Sequence, residues 1–213
     1  MKIELQKVLP ADIEKRSFEM ITEELGERII PEELAPIVKR VIHTSADFDY
    51  YENMKFSPAV AKRIAEALRA GACIVTDTQM AKAGINKKLL ETFGGEVFCF
   101  MADEDVAKAA KENGTTRATA SIEKAAQLDR PVIFAIGNAP TALVRIYELF
   151  SEGKLNPQAV IGVPVGFVNV VESKELILSS TMPHIVAAGR KGGSNVAAAI
   201  CNAILYMMRD GQL

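Results

Sequence analysis

The sequence predicts an α/β fold, a three-layer α/β/α arrangement around a five-stranded parallel sheet. Five short apolar runs alternate with segments of helical periodicity after residue 57, as expected for strands that are buried on both faces. No repeat, low-complexity segment or linker rich in proline and glycine divides the 213 residues. We therefore predict one domain, residues 1–213, with a helical N-terminal extension at about 1–56 and a parallel α/β core at about 57–213.

Three helices are predicted before the first strand of the core. Apolar residues recur at helical spacing over residues 10–25 and again over 31–43. The third helix has the clearest end signals. We expect Ser57 as its N-cap, Pro58 at the first helical position and Gly71 just past its C-terminus.

Five strands and six further helices are predicted in the core. The strands are expected at 72–76, 96–101, 131–136, 159–163 and 184–188. The helices are expected at 86–93, 103–113, 118–128, 139–151, 168–179 and 194–209. This alternation is typical of strand–helix–strand units with right-handed crossovers.

The segments that follow the predicted strands contain the chemically unusual residues of the chain. They are TDTQM (76–80), GNAPT (137–141), PVGF (164–167) and GRKGGS (189–194). Open parallel sheets bind ligands beyond the carboxyl ends of their strands. We therefore expect these four segments to converge at one edge of the sheet and to form the site.

The segment GRKGGS at 189–194 is the best candidate for an anion site. Its adjacent glycines let the backbone approach a ligand, and the following helix offers free N–H groups. Arg190 and Lys191 add two positive charges, and Ser194 can cap the helix or bind the ligand. The alternative is a plain strand-to-helix turn with solvated basic residues. Neither a Walker A loop nor a GxGxxG after a strand is present.

Two other loops could contact a ligand or serve only as turns. Gly137 and Asn138 suit a tight turn, and Pro140 and Thr141 suit the start of a helix. Arg117 follows two threonines and could meet a carboxylate. A surface helix cap with an unengaged arginine fits the same residues equally well.

His43 is one of two histidines and the main candidate for proton transfer near neutral pH. It comes at the end of an apolar helix, and Asp47 could orient it if the helix continues. The alternative is a half-buried structural histidine. A metal site would need more ligands than this neighbourhood offers. No GxSxG segment supports a Ser-His-Asp arrangement.

Composition excludes several classes of protein. The 25 basic and 27 acidic residues give a net charge of −2, which argues against a general nucleic-acid binder. Cys73, Cys99 and Cys201 lie in apolar stretches without metal-ligand spacing, so we expect buried thiols. No apolar run reaches 18 residues and no secretory signal is expected, so we predict no membrane contact and a cytoplasmic location.

Seven segments, in order, resemble the precorrin-8X methylmutase family of cobalamin biosynthesis. They are IEKRSFEMI (13–21), VKRVIHTSADFDY (38–50), GACIVTDTQMAKAGI (71–85), TTRA (115–118), IGNAPTAL (136–143), IGVPVGFVNVVESKE (161–175) and GRKGGSNVAAAICNAI (189–204). The resemblance implies a flavodoxin-like fold and a homodimer with active sites near the subunit interface. It also implies an isomerisation that moves a tetrapyrrole methyl group from C-11 to C-12, giving hydrogenobyrinate or cobyrinate. It places the catalytic histidine at His43 and gives His184 no catalytic role.

The implied substrate is an apolar macrocycle fringed with carboxylates, precorrin-8X or its cobalt form. Its site should combine apolar walls with scattered donors. The basic residues expected to meet its carboxylates are Arg16, Arg40, Arg117, Arg190 and Lys191. The other predicted substrate-binding residues are Ser17, Thr44, Asp77, Thr78, Asn138, Thr141 and Ser194. A methyl shift within one molecule needs no redox cofactor, nucleotide or protein-bound metal, so none is expected.

Two rival functions stay open. A non-catalytic tetrapyrrole carrier would use the same cleft and would not need His43. An oxidoreductase that binds a phosphate or nucleotide through GRKGGS and GNAPTA would need a dinucleotide fingerprint and a ribose-binding acid, and the sequence shows neither.

Overall fold

A computed structural model describes residues 7–213, so the start of the predicted extension, residues 1–6, lies outside the described residues. The described chain forms a six-stranded sheet with helices on both faces. Its strands are β1 (Met54–Phe56), β2 (Cys73–Thr76), β3 (Glu96–Phe98), β4 (Val132–Ile136), β5 (Ala159–Gly162) and β6 (His184–Ala187).

Each predicted helix is present, with ends that differ by a few residues. The helices are α1 (Ile13–Leu25), α2 (Ala35–Ser45), α3 (Tyr50–Asn53), α4 (Val60–Arg69), α5 (Gln79–Gly84), α6 (Lys87–Thr92), α7 (Glu104–Glu112), α8 (Arg117–Ala125), α9 (Pro140–Ser151), α10 (Val170–Leu178) and α11 (Ser194–Arg209). The short helices α3 and α5 were not predicted, because four to six residues carry too little periodicity to be recognised.

The sheet confirms the predicted parallel core. Its strand order is β1-β6-β5-β4-β2-β3, and the strands from β2 to β6 pair in parallel. Numbered among themselves, these five strands run in the order 2-1-3-4-5, which is the flavodoxin-like arrangement. The chain reverses its direction of travel across the sheet between β2 and β4, and ligands of such folds bind at this point.

The N-terminal extension adds a strand that the sequence analysis missed. Strand β1 pairs antiparallel with β6, with Met54 opposite Ala187. The expectation that Ser57 caps α4 is therefore wrong. Ser57 extends this pairing, since its hydroxyl accepts a hydrogen bond from the His184 N–H at 2.8 Å. Ala59, in a left-handed conformation, precedes α4 instead.

Two apolar layers enclose the sheet. Along β4, Ile133 and Ala135 face the layer formed by α1, α2, α4 and α11, whereas Phe134 and Ile136 face α7 to α10. All four side chains are fully buried, and each buried large apolar side chain contributes roughly 1.5–3 kcal/mol. This division places the helix that carries His43 on the same face of the sheet as α11.

The three cysteines are buried free thiols, as predicted. Cys201 lies in α11, and burial raises the pKa of its thiol to about 12. Within residues 7–213, no helix combines the length and the apolar character that a membrane crossing requires.

Candidate functional site

The four predicted segments meet at the carboxyl edge of the sheet. The hydroxyls of Thr78 and Ser194 lie 2.8 Å apart, although 116 residues separate them in the chain. The Gly193 N–H donates to the Val163 carbonyl at 2.8 Å. Gly137 packs so closely that a Cβ there would lie 2.7 Å from the Ser194 Cα. The predicted convergence of these loops is therefore confirmed, and their role as the substrate site stays a prediction.

The buried Asp77 carboxylate binds the backbone of the GNAPT segment. Its side chain is only 3% exposed, and its carboxylate accepts backbone N–H bonds from Gly137 at 2.8 Å, Asn138 at 2.8 Å and Ala139 at 2.6 Å. Burial raises the pKa of Asp77, while these three donors act in the opposite direction. The carboxylate thus points into the protein, and the substrate contact predicted for Asp77 stays a prediction.

The start of α8 lies beside the start of α9. The Thr116 hydroxyl caps α8 by accepting the Thr119 N–H, and it lies 3.0 Å from the Thr141 hydroxyl. This contact brings the predicted residues Arg117 and Thr141 to one part of the edge. Arg117 and Asn138 are exposed, and Arg117 has no ion-pair partner in the described part of the chain.

The two cations of GRKGGS have different surroundings. Lys191 donates to Asp47 at 2.6 Å and to Asp49 at 2.5 Å, which raises its pKa and lowers the pKa of Asp47. The Arg190 guanidinium lies 5.5 Å from the centre of the Phe167 ring, and no carboxylate pairs with it among residues 7–213. Arg190 is therefore the cation of this segment that is available to an anionic ligand.

His43 lies in the last turn of α2 and is exposed, so it is not the half-buried histidine considered as an alternative. Its ring stacks on Phe18, with centroids 5.5 Å apart and planes at 27°. The helix ends at Ser45 and the chain turns at Ala46, so the condition for Asp47 to orient His43 along a continuing helix is not met. Asp47 binds Lys191 instead.

A cavity of about 230 Å³ opens beside His43. Its lining comes from α2, α5 and α11, namely Arg40, His43, Thr44, Gly84, Asn195, Ala198, Ala199 and Asn202. The Asn202 amide is occupied, because it donates to the Gly84 carbonyl and accepts the Asn86 N–H. Asn195 is exposed, so it is the amide of this cavity that can reach a ligand.

Arg40 is held in place by three groups. Its guanidinium lies 5.0 Å from the Phe18 ring centre and 4.7 Å from that of Tyr206, and it pairs with Glu14 at 2.5 Å. The guanidinium therefore contacts the same phenylalanine as His43. Of the predicted residues on α2, both Arg40 and Thr44 line the cavity.

The two predicted residues on α1 do not line this cavity. Arg16 pairs with Glu19 and Glu23 on α1 at 3.3 and 3.4 Å. The Ser17 hydroxyl donates to the Ile13 carbonyl at 2.9 Å. Neither side chain lines the space next to His43, and their substrate contacts stay predictions.

The sequence analysis missed a buried cation and an apolar rim. Lys174 on α10 is 0% exposed and donates to the carbonyls of Gly189 and Lys191. Phe167, Val168 and Met80 are 70–80% exposed around the strand-end loops. The adjacent apolar residues Phe167 and Val168 in a loop were an available signal, whereas Lys174 stands in a polar stretch, ESKE (172–175), that gives no sign of its burial. Across residues 7–213, no group of three potential metal-ligating side chains is present.

Comparison with known proteins identifies the family to which this fold belongs. Residues 12–207 match the family model described as precorrin-8X methylmutase. The cobalt-precorrin-8 methylmutase of Priestia megaterium is 47% identical over 96% of this chain and 91% of its own. That of Salmonella typhimurium is 45% identical over 94% of this chain and 97% of its own.

A solved structure extends the agreement to three dimensions. The crystal structure of precorrin-8X methylmutase from Thermus thermophilus superposes with a TM-score of 0.86 at 36% identity, covering 95% of this chain and all of that chain. The matches in sequence and in fold thus name the same family. The chain belongs to the precorrin-8X methylmutase family and is an isomerase.

Proposed function

We propose that this protein moves the methyl group at C-11 of precorrin-8X or cobalt-precorrin-8 to C-12, giving hydrogenobyrinate or cobyrinate in cobalamin biosynthesis. The observation that carries the proposal is the exposed His43 imidazole at the edge of a cavity. The loop that carries Arg190 is connected to the residues after His43 by the ion pair of Lys191 with Asp47. A carrier would need the cations and the apolar rim but not the histidine. Family membership supports an isomerase.

His43 acts in this proposal as the general acid. A proton placed on the conjugated macrocycle changes its electronics and so favours migration of the methyl group. A positioned acid of this kind contributes about 10²–10⁴ in rate. Stacking on Phe18 supports the role, because it restricts the plane of the imidazole while the ring stays exposed.

The macrocycle must lie across the mouth of the cavity rather than inside it. Pockets that enclose a drug-sized ligand measure about 300–1,000 Å³, and the space beside His43 measures about 230 Å³. We therefore place one edge of the ring at His43 and the rest against the apolar rim of Phe167, Val168 and Met80. Arg190 and Arg117 would then meet the peripheral carboxylates.

We propose a two-fold homodimer that completes this shallow site. Leu9, Ile13 and Met20 are exposed apolar residues in and just before α1, the helix that contributes Phe18 to the His43 environment. Covering them with a second copy would remove apolar surface from water and add walls near the cavity. Light scattering at micromolar concentration should show a dimer, and a fully active monomer would contradict this part of the proposal.

We further propose that residues 1–213 act as one domain in the cytoplasm. Pairing of β1 with β6 supports one domain, because the extension and the core then share a sheet. Free, buried thiols support a reducing compartment.

The test is a spectroscopic assay with two substrates side by side. Cobalt-precorrin-8 is the first to try, because relatives at 47% and 45% identity are named as cobalt-precorrin-8 methylmutases, and metal-free precorrin-8X is the second. A methylmutase converts the visible spectrum progressively with time. An immediate change that does not progress would indicate a carrier, and an unchanged spectrum with both substrates would rule out both functions.

A further inference from the structure

Lys174 is a buried cation that the proposed chemistry does not use. It lies on α10 with no exposed surface, and no carboxylate pairs with it among the described residues. Burial lowers the pKa of its ammonium group to about 8. Burying a charge without a counter-ion is costly, so a lysine at this position needs a specific reason.

The partners of Lys174 are two backbone carbonyls of the GRKGGS segment. Its Nζ donates to the Gly189 carbonyl at 2.7 Å and to the Lys191 carbonyl at 2.8 Å. The carbonyl between them, that of Arg190, accepts the Gly166 N–H at 3.1 Å. Three consecutive carbonyls are therefore held from outside the segment, which fixes the backbone that carries both cations.

This backbone is connected to the residues that follow His43. Lys191 uses its side chain to bind Asp47 and Asp49, and Asp47 in turn accepts the Asp49 N–H at 3.0 Å. Asp47 lies between α2, which ends at Ser45, and α3, where the Asp49 carbonyl accepts the N–H groups of Glu52 and Asn53. The Lys191 ion pairs therefore connect GRKGGS to the junction between these two helices. A shift of the backbone at Lys191 would thus be transmitted to the turn beside His43.

We propose that Lys174 is a positioning residue for the isomerisation: it fixes residues 189–191 so that Arg190 meets the substrate and Lys191 holds the segment after His43. This inference rests on the proposed function for its catalytic consequence. Its structural part does not, because the connection from Lys174 to His43 can be measured without substrate.

The first experiment compares Lys174→Met with Lys174→Gln. Methionine has a similar length without donors, whereas the glutamine amide keeps two N–H groups one atom nearer the backbone. We expect Lys174→Met to lower kcat by about 10- to 100-fold, as small misplacements of catalytic groups do. Lys174→Gln should recover part of the loss. Lys111→Met, the same replacement at an exposed site, should match the parent.

The second experiment follows the ring signals of the two histidines by NMR. Lys174→Met should displace the His43 signal. The His184 signal should not move, because His184 begins β6 whereas GRKGGS follows the end of that strand. In a Lys191→Ala background, Lys174→Met should no longer move the His43 signal, because the connection is already broken. A purely structural lysine would not produce this dependence on Lys191.

Several outcomes would overturn the inference. They are an unchanged His43 signal in Lys174→Met, an equal displacement with and without Lys191, or an unchanged kcat in a folded variant. If Lys174→Met does not fold, Lys174→Gln serves instead, since its shorter reach must also displace the His43 signal. A parent protein that leaves both substrates unconverted contradicts the proposed function, while the NMR result still decides the connection.

Discussion

The GNAPT and GRKGGS segments both follow a strand at the same edge, yet buried groups of opposite charge organise them. Asp77 collects three backbone N–H groups of the first segment. Lys174 donates to two backbone carbonyls of the second. Each buried charge is hydrogen-bonded to backbone dipoles, which offset part of the cost of its lost hydration.

Because of these different partners, the two segments leave different groups free for an anion. In GNAPT, the N–H groups before α9 are already bound to a carboxylate, so a ligand carboxylate would find few free donors there. In GRKGGS, the carbonyls of Gly189 and Lys191 are held inward and Arg190 stays free of carboxylates in the described structure. We therefore propose that the second segment recognises the anion and that the first supports it.

The largest effect on activity should come from replacing His43, because neither segment contains another proton donor of this kind. His43→Ala should lower kcat by about 10²–10⁴-fold and leave substrate affinity close to that of the parent, because most contacts lie elsewhere. His43→Asn keeps a hydrogen bond but is no acid at neutral pH, so it should be nearly as inactive. Steady-state kinetics and equilibrium binding of the macrocycle separate the two effects. Turnover of the asparagine variant near the parent rate would make His43 a positioning residue.

The next effect tests the GRKGGS side of the comparison. Replacing both Arg190 and Lys191 with alanine should weaken substrate binding by about 10-fold or more, as expected for the loss of one charged hydrogen bond, and make the remaining affinity less sensitive to salt. Of the single variants, Arg190→Ala should mainly affect binding, and Lys191→Ala should mainly lower kcat, because Lys191 binds Asp47 and Asp49. Binding titrations at low and high salt measure both. Unchanged affinity would mean that GRKGGS is only a strand-to-helix turn and does not bind the substrate.

The GNAPT side should respond in stability rather than in binding. Asp77→Asn keeps the size of the side chain but places an amide N–H against a backbone N–H. It should therefore lower the free energy of unfolding by about 2–3 kcal/mol. Urea denaturation measures this, with the exposed Asp129→Asn as the control. If stability is unchanged and substrate binding weakens, Asp77 contacts the substrate, as the sequence analysis expected.

The limits of prediction from sequence follow from the same residues. The apolar runs were sufficient to predict the parallel strands and the convergence of their loops. A strand that is buried on both faces is visible in the sequence as an unbroken run of apolar residues. The three-residue strand β1 has no such pattern, and its pairing with β6 comes from contacts distant in sequence. Likewise, the partners of Lys191 and Lys174 depend on tertiary proximity, so sequence reasoning gave Lys191 to the substrate and assigned Lys174 no role.

The last effect is the pH dependence that the buried cation imposes. The folded-state pKa of Lys174 is about 8, below the ordinary value of 10.5, so the unfolded chain binds this proton more tightly. The free energy of unfolding should therefore rise with pH through this window, by about 2–3 kcal/mol between pH 7 and pH 10 relative to Lys174→Met. Subtracting the methionine variant removes the titration of all other groups that the replacement leaves unchanged. Urea denaturation at both pH values measures the difference. A slope of zero would mean that the two backbone carbonyls offset the cost of burying the ammonium group completely, as the three N–H groups around Asp77 do not for its carboxylate.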